Sequence, residues 1–512
     1  MTVKKGLWES PAGIPTLFAG IKLLIHLWTN LFAGYGIFRD ELYYIVSTDH
    51  LAAGFVDQPP LSIFILALNR LILGDSLFAL RFLPALAGAA AVYLVGVLTT
   101  ELGGGRKAQA LACAAAVVSM IYLGMDAIYS MNAFSILLWQ VAILIVLKIV
   151  QAPNIRLWLL LGAVLGIGLL NKIDVLWLGA GIAAGIVFTP LRSQLRTPGP
   201  WLSAMLAFLF FLPYLLWNAM NDWAHIEFIS NATSGKYSGL SAVEFITGQF
   251  LLNNPSTVPL WLGGLYFLFS KRGRTFRIGG VIFATAFVIL LANGHSKAEY
   301  LCSAFGILFA AGGVLFEFSS APWMRFAALR LYPIVLGAGL LLAPLTLPIL
   351  SEQSYIEFAS VLGVRPHTAE SKRLGDLPQF YADMHGWEEL ASAVGAVYRT
   401  LTPEEQRSAS IYAQNYGEAS AMTFFGRSLG LPHAISRHNS YYLWAPRSLD
   451  SSVVIVVGGN RQNHEEIFEE VTLMTRFSAP YVMPYEDNLP IFVCRRLKVP
   501  IVEVWPRTKN YS

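Results

Sequence analysis

The sequence predicts a polytopic α-helical membrane protein carrying a C-terminal α/β extracytoplasmic domain. Three observations predict it. The 512 residues are 55% hydrophobic and 13% charged, about half the charge fraction of an ordinary soluble chain, and the mean hydropathy is +0.54. Long apolar segments recur from residue 13 to about 350 and then stop. Residues 352–512 instead mix strand-like and helix-like patterns. The expected division is a membrane domain at 1–351 and a soluble domain at 352–512. Cys113, Cys302 and Cys494 are far apart and show neither metal-ligand nor disulfide spacing. No cofactor, metal or nucleic-acid partner is indicated.

Candidate spans are 13–36, 77–101, 108–125, 132–150, 157–171, 173–191, 201–217, 256–270, 278–293, 299–317 and 331–350, about eleven in all. The first follows Met1-Thr2-Val3-Lys4-Lys5 without a small-residue cleavage site, so it reads as a retained helix and not a removed signal. The short 157–171 span is expected to pair with 173–191 through a hinge at Asn171–Lys172. With the N-terminus in the cytoplasm, every inner loop holds basic residues: Lys4 and Lys5, Arg106 and Lys107, Lys148 and Arg156, Arg192 and Arg196, Lys271 to Arg277, and Arg325 and Arg330. Outer loops hold isolated ones. This parity puts the C-terminal domain outside, together with Arg39, Asp40, Glu41, Asp57, Asp126, Lys172 and the His295–Tyr300 loop. In the first span, Lys22 and His26 share one helix face, and Lys22 is expected to snorkel toward the cytoplasm.

The first outer loop, 37–76, opens with Arg39-Asp40-Glu41-Leu42-Tyr43-Tyr44 and runs on to Asp57-Gln58-Pro59-Pro60. An acidic pair at a membrane boundary is costly unless it is solvated, paired or used. A carboxylate held there can accept a proton from a hydroxyl nucleophile; the bland reading is a solvated acid or a helix cap. Asp57 either positions a substrate or caps a proline-initiated helix, and capping is favoured. Residues 61–73 are apolar at helical spacing but too short to span, so an interfacial helix is expected.

Other polar residues interrupt the apolar runs. Lys172 faces either Asp174 or a phosphate. Asp126 and Asn132 flank the fourth span, where Asn132 reads as a cap. The polar Asn293–Tyr300 loop offers His295 and Lys297 as phosphate ligands. In the soluble domain, 388–401 and 465–476 read as helices, and 409–413, 452–457 and 491–493 as buried strands. Residues 412–425 read as a strand, a turn at Asn415-Tyr416-Gly417 and a helix from near Glu418. That turn either binds an anion or merely joins the elements, and the second reading is favoured.

The run Asp40-Glu41-Leu42-Tyr43-Tyr44, followed by Gly54-Phe55-Val56-Asp57-Gln58-Pro59-Pro60-Leu61, resembles the signature of bacterial family 39/83-type glycosyltransferases. These include relatives of protein O-mannosyltransferases and the lipid A aminoarabinose and galacturonate transferases. Leu80 to Leu86, Gly168 to Lys172, Lys297 to Tyr300, Asn415 to Ala419 and His438 to Trp444 match as well. The resemblance implies a GT-C fold and inverting transfer from a polyprenyl-phosphate sugar to an extracytoplasmic acceptor: glycolipid, polysaccharide or protein. It implies that Asp40 is the catalytic base or an acid that positions the acceptor, with Glu41 its neighbour. Arg39, Lys172, His295 and Lys297 become candidates for the donor phosphate, and Tyr43, Asp57, Asp126, Asn132 and Tyr300 for substrate positioning. Relatives often carry an Asp after Ser-Thr in the second outer loop; here Ser130-Met131-Asn132 departs from that pattern, and Asn cannot act as a base. The expected location is a bacterial inner membrane, among membrane lipids. A flippase or an envelope sensor or scaffold is the alternative class. A flippase should show an internal repeat or broken midplane helices, and the sequence shows neither.

Overall fold

The computed structural model describes residues 10–32, 35–236, 239–366, 372–445 and 453–512. Lys4, Lys5 and Ser452 lie outside the described residues. The chain divides into two units. The first comprises 1–33, 69–217 and 239–349; the second comprises 34–68, 218–238 and 350–512. The second is therefore not the C-terminal segment alone.

The first unit is helical. Among the described residues of the whole chain, six helices are each long and apolar enough to cross a bilayer: Gly13–Phe32, Leu77–Glu101, Met131–Gln151, Gly199–Met220, Arg274–Asn293 and Ala327–Leu345. Two bent pairs, Val175–Phe188 with Pro190–Arg196 and Ala298–Ala304 with Gly306–Glu317, raise the number to eight if each is one span. The protein is thus a multi-pass membrane protein. Each of the eleven predicted segments contains helix, but 108–125, 157–171, 173–191, 256–270 and 299–317 are short, broken or bent. The physical causes are local. Ser119, at ψ 117°, separates Arg106–Val118 from Met120–Met125. Pro190 follows an extended Thr189, and the chain there turns by 101°. The expected hinge is present: Lys172 is extended (φ −155°, ψ 136°) between Ile155–Asn171 and Val175–Phe188.

Close backbone approach holds part of this unit together. Gly264 in Val258–Phe269 and Gly312 in Gly306–Glu317 lie against the carbonyls of Leu308 and Leu260, respectively, where a Cβ would collide with backbone. Small residues at helix interfaces gain packing that lipid cannot replace.

The second unit is built on five strands: β1 (Ser410–Ala413), β2 (Ala434–Ser436), β3 (Val453–Val457), β4 (Phe468–Phe477) and β5 (Leu489–Leu497). Their order is β2-β1-β3-β5-β4, parallel through β2-β1-β3 and antiparallel through β3-β5-β4. The apolar β3, Val-Val-Ile-Val-Val, occupies the centre, as a strand covered on both faces should. Residues 465–476, expected as a helix, instead form the end of a helix (Arg461–Ile467) and most of β4. A register shift between Leu473 and Thr475 breaks the two-residue alternation, which made the segment look helical. Pairing along β5 decides the conformation. The short β2 went unforeseen.

Helix Arg39–Ser47 belongs to this unit. Leu42, Tyr43 and Val46 enter the same core as Ile411, Val453, Ile455, Val457 and Leu390. Helix Leu61–Leu73 exposes Phe64, Leu68, Leu71 and Ile72, the pattern of an interfacial helix.

Candidate active site

In the second unit the site is set by how helix Arg39–Ser47 spends its first turn. Glu41 is fully buried, and its Oε2 accepts the Phe38 N–H at 2.9 Å, so it caps its own helix. Glu41, expected beside Asp40 in the catalytic pair, is thus engaged as a cap and shielded from solvent. Arg39 is also consumed. Its Nη1 donates to the Tyr485 hydroxyl at 2.7 Å and lies 3.5 Å from Asp383, and its guanidinium sits 5.4 Å from the centre of the Tyr416 ring. Gly417 makes room for it: a Cβ there would come within 2.5 Å of Arg39 Cγ. Burial alone would disfavour the Arg39 charge, but Asp383, Tyr416, Tyr485 and Asp40 outweigh it and hold the guanidinium protonated. Arg39, expected at the donor phosphate, is thus a buried cation paired within the protein.

Asp40 is what remains. Its side chain is 41% exposed, and Oδ1 accepts the Tyr416 hydroxyl at 2.7 Å across 376 residues of sequence. One hydrogen bond and the edge of Arg39 orient the carboxylate while leaving it accessible. Tyr43, expected to position substrate, is buried; its hydroxyl donates to Asp57 at 3.0 Å and accepts the Ser440 N–H at 3.2 Å. Asp57 accepts the Tyr43 hydroxyl, and in helix Leu61–Leu73 the N–H groups of Ile63 and Phe64 bond to the Pro60 carbonyl.

Tyr416 starts the helix Tyr416–Phe425, whose cap is Asn415: its Oδ1 accepts the Glu418 N–H at 2.9 Å. The Glu418 carboxylate in turn accepts Gln414 N–H and Asn415 Nδ2. This turn satisfies itself, which supports the joining role over anion binding. Glu418 is buried, and burial pushes its carboxyl up to about 7 against the opposing effect of those donors. Glu486 is buried too; burial, then Glu418 and Asp383, push its carboxyl far up, against Arg39. A raised carboxyl keeps its proton in the folded state where the unfolded chain would lose it. Its stabilisation is complete below the ordinary value of 4.5 and is lost as pH rises through about 7. The unfolding temperature is therefore expected to fall between those pH values, by about 3 kcal/mol of stability from a shift of this size. Tryptophan-monitored melting should show this slope, and Glu418→Gln should reduce it, the remainder belonging to Glu486; an unchanged slope in the variant would assign the titration elsewhere.

In the first unit, three predicted residues come together. Lys172 Nζ donates to Asn132 Oδ1 at 2.8 Å, lies 5.3 Å from the centre of the Tyr300 ring, and is 3.7 Å from Asp174. Asp174 is itself held by Ser135 at 2.7 Å. The cap of helix Met131–Gln151 is Ser130, which accepts the Asn132 N–H at 3.2 Å, so the side chain of Asn132 is free to hold Lys172 rather than to cap. His295 is exposed, and Lys297 precedes the 3-10 turn Ala298–Ala304 that carries Tyr300. Asp126 is not a surface residue: it is buried and pairs with Lys22 at 3.0 Å, which in turn does not snorkel. Among the described residues no three His, Cys, Asp or Glu side chains are grouped to hold a metal ion.

Tyr416 and Asp383 were the residues that sequence reading missed. Tyr416 had a signal, since Asn415-Tyr416-Gly417 is part of the family resemblance. Asp383 had none, because its bonds to Arg39 are made only by the fold.

Comparison with known proteins bears on this arrangement. Residues 57–217 match the family model for dolichyl-phosphate-mannose-protein mannosyltransferase. The structure of ArnT from Cupriavidus metallidurans bound to undecaprenyl phosphate aligns with a TM-score of 0.60 at 12% identity, over 93% of this chain and 97% of that one. The chain has the GT-C fold. The apo state of that ArnT aligns with a TM-score of 0.58, at the same identity and coverage: 12%, 93% and 97%. An Archaeoglobus fulgidus oligosaccharyltransferase tethered to an acceptor peptide gives 0.51 at 12% identity, over 84% of this chain and 64% of that one. No curated protein sequence matches significantly. The GT-C fold implied by the resemblance of the Asp40–Tyr44 and Gly54–Leu61 runs is thus borne out, and the mannosyltransferase family model matches part of the chain, residues 57–217.

Proposed function

We propose that the protein is a membrane glycosyltransferase that moves a sugar from a polyprenyl-phosphate donor to an acceptor outside the cytoplasm, with inversion. The observation that carries the reading is Asp40: among Arg39, Asp40 and Glu41 it is the one side chain both oriented and open to solvent. As the acceptor hydroxyl attacks the anomeric carbon, Asp40 accepts its proton. The bond from that carbon to the phosphate oxygen breaks, and the polyprenyl phosphate leaves with the electron pair. The leaving phosphate needs cations to stabilise its growing charge. Lys172 is the first candidate, because Asn132 and Tyr300 orient it, with Lys297 and His295 as further candidates. The fold of ArnT and the matched mannosyltransferase segment support a lipid-linked donor. The proposed orientation keeps the basic loops in the cytoplasm of a bacterial inner membrane.

The direct test is mass spectrometry of envelope glycans and glycolipids from a deletion strain against its parent, followed by transfer in vitro from the matching polyprenyl-phosphate sugar. Loss of a single sugar substituent is expected; an unaltered envelope and no turnover of any lipid-linked sugar would sink the reading. Lys172→Ala is expected to lower turnover by about 10²-fold, with Lys172→Arg recovering part of it. Wild-type kinetics in Lys172→Ala would remove Lys172 from the phosphate site.

A further inference from the structure

One end of the helical unit, where the Arg106–Lys107 and Arg325–Arg330 segments lie, holds two cavities that share Lys107, Leu329 and Arg330. The first, of about 320 Å³, is lined by Lys107, Ser319, Ser320, Arg325 and Arg330 beside the apolar Phe326 and Leu329. The second, of about 550 Å³, is an apolar trough walled by Phe18, Ile21, Leu111, Val118, Leu336 and Leu340. Both fall in the size range of small-ligand sites, roughly 300–1,000 Å³.

The sequence explains how this pair forms. Lys107, Leu111, Ala114 and Val118 recur at helical spacing on Arg106–Val118, so one face carries a cation at its start and apolar groups beyond it. The opposite wall comes from a helix that contains Pro333. Proline has no N–H to donate to the carbonyl four residues back, that of Leu329, and the ladder there widens into a π-turn over Ala327–Leu331. That turn carries Leu329 and Arg330, two of the three residues both cavities share.

Charge decides the occupant. No carboxylate lies within ion-pair distance of Lys107, Arg325 or Arg330 among the described residues. Glu317, the acid beside these elements, gives its carboxylate to the Gly105 N–H at 2.6 Å. Three cations at the mouth of an apolar trough fit an amphiphile with an anionic head. We propose that these cavities bind an anionic glycerophospholipid of the bilayer, its phosphate among Lys107, Arg325 and Arg330 and an acyl chain in the trough. The site shares no residue with the Lys172 cluster or with the Asp40 helix.

The test uses the full-length protein, delipidated in detergent and loaded with phosphatidylglycerol or phosphatidylcholine, with occupancy read by native mass spectrometry. Phosphatidylglycerol is expected to be retained in preference. Lys107→Ala with Arg330→Ala should weaken it about 25-fold, about fivefold per charge. Arg156→Ala, an exposed cation outside the cavities, should change nothing. Ala114→Trp, which fills the trough and keeps every charge, should also expel the lipid, so the proposal does not hang on one variant's folding. Equal retention of both lipids, indifference to both the charge and the trough variants, or displacement by inorganic phosphate alone would each overturn the proposal. Preferential capture of polyprenyl phosphate would overturn the assignment to a glycerophospholipid.

Discussion

Asp40→Asn is expected to reduce sugar transfer by about 10²–10⁴-fold while the protein inserts and folds normally. The substitution keeps shape and still accepts the Tyr416 hydroxyl, but an amide cannot take the proton of the attacking acceptor. Its neighbours supply the controls. Glu41→Gln acts on a helix cap buried beneath Phe38, so it should lower stability and spare the chemistry of the protein that remains folded. Tyr416→Phe should leave Asp40 charged but less firmly aimed, with a loss of about tenfold, well short of the Asn variant. Turnover measured per folded molecule separates the three. Should Asp40→Asn keep normal turnover, Asp40 is not the base, whatever the donor.

Lys22→Met is expected to cost about 3–5 kcal/mol, because it strands a fully buried Asp126 carboxylate. The geometry leaves little relief. Asp126 sits against Gly88, where a larger residue would collide with it, and His26 lies buried one helical turn from Lys22 with neither ring nitrogen hydrogen-bonded. Removing both charges, Lys22→Met with Asp126→Leu, should recover most of the loss, since desolvating an ion pair offsets much of its attraction. Thermal unfolding in detergent of the two singles and the double forms the cycle. A double variant no better than the worse single would show that the charges act separately and not as a pair.

The broad outline was legible in the residues. Apolar runs fixed where helices lie, the Asn171–Lys172 break marked a hinge, and β-branched runs marked β1, β3 and β5. The break in the third predicted span at Ser119 and the strand β4 were not legible. Helical spacing in 465–476 comes from a bulge, and only pairing with β5 reveals it. The site divides the same way. Asp40, Lys172, Asn132 and Tyr300 could be named from type and position, because a polar residue beside an apolar span needs a reason to be there.

What each polar residue does was decided by the fold. From residue type alone, Arg39, Asp40 and Glu41 are three adjacent charges, and only the family resemblance singles out Asp40. Helical geometry sends successive side chains to different faces about 100° apart, so one meets Asp383 and Tyr485, one meets Tyr416 and solvent, and one turns back onto Phe38. Lys22 and Asp126 illustrate the converse: two charges that sequence assigned to opposite membrane surfaces neutralise each other in the interior. The sequence by itself determined that this is a multi-pass protein with acids beside its first span. Tertiary structure decided which of those acids stays open to solvent, because burial and hydrogen bonding are made by residues hundreds of positions away.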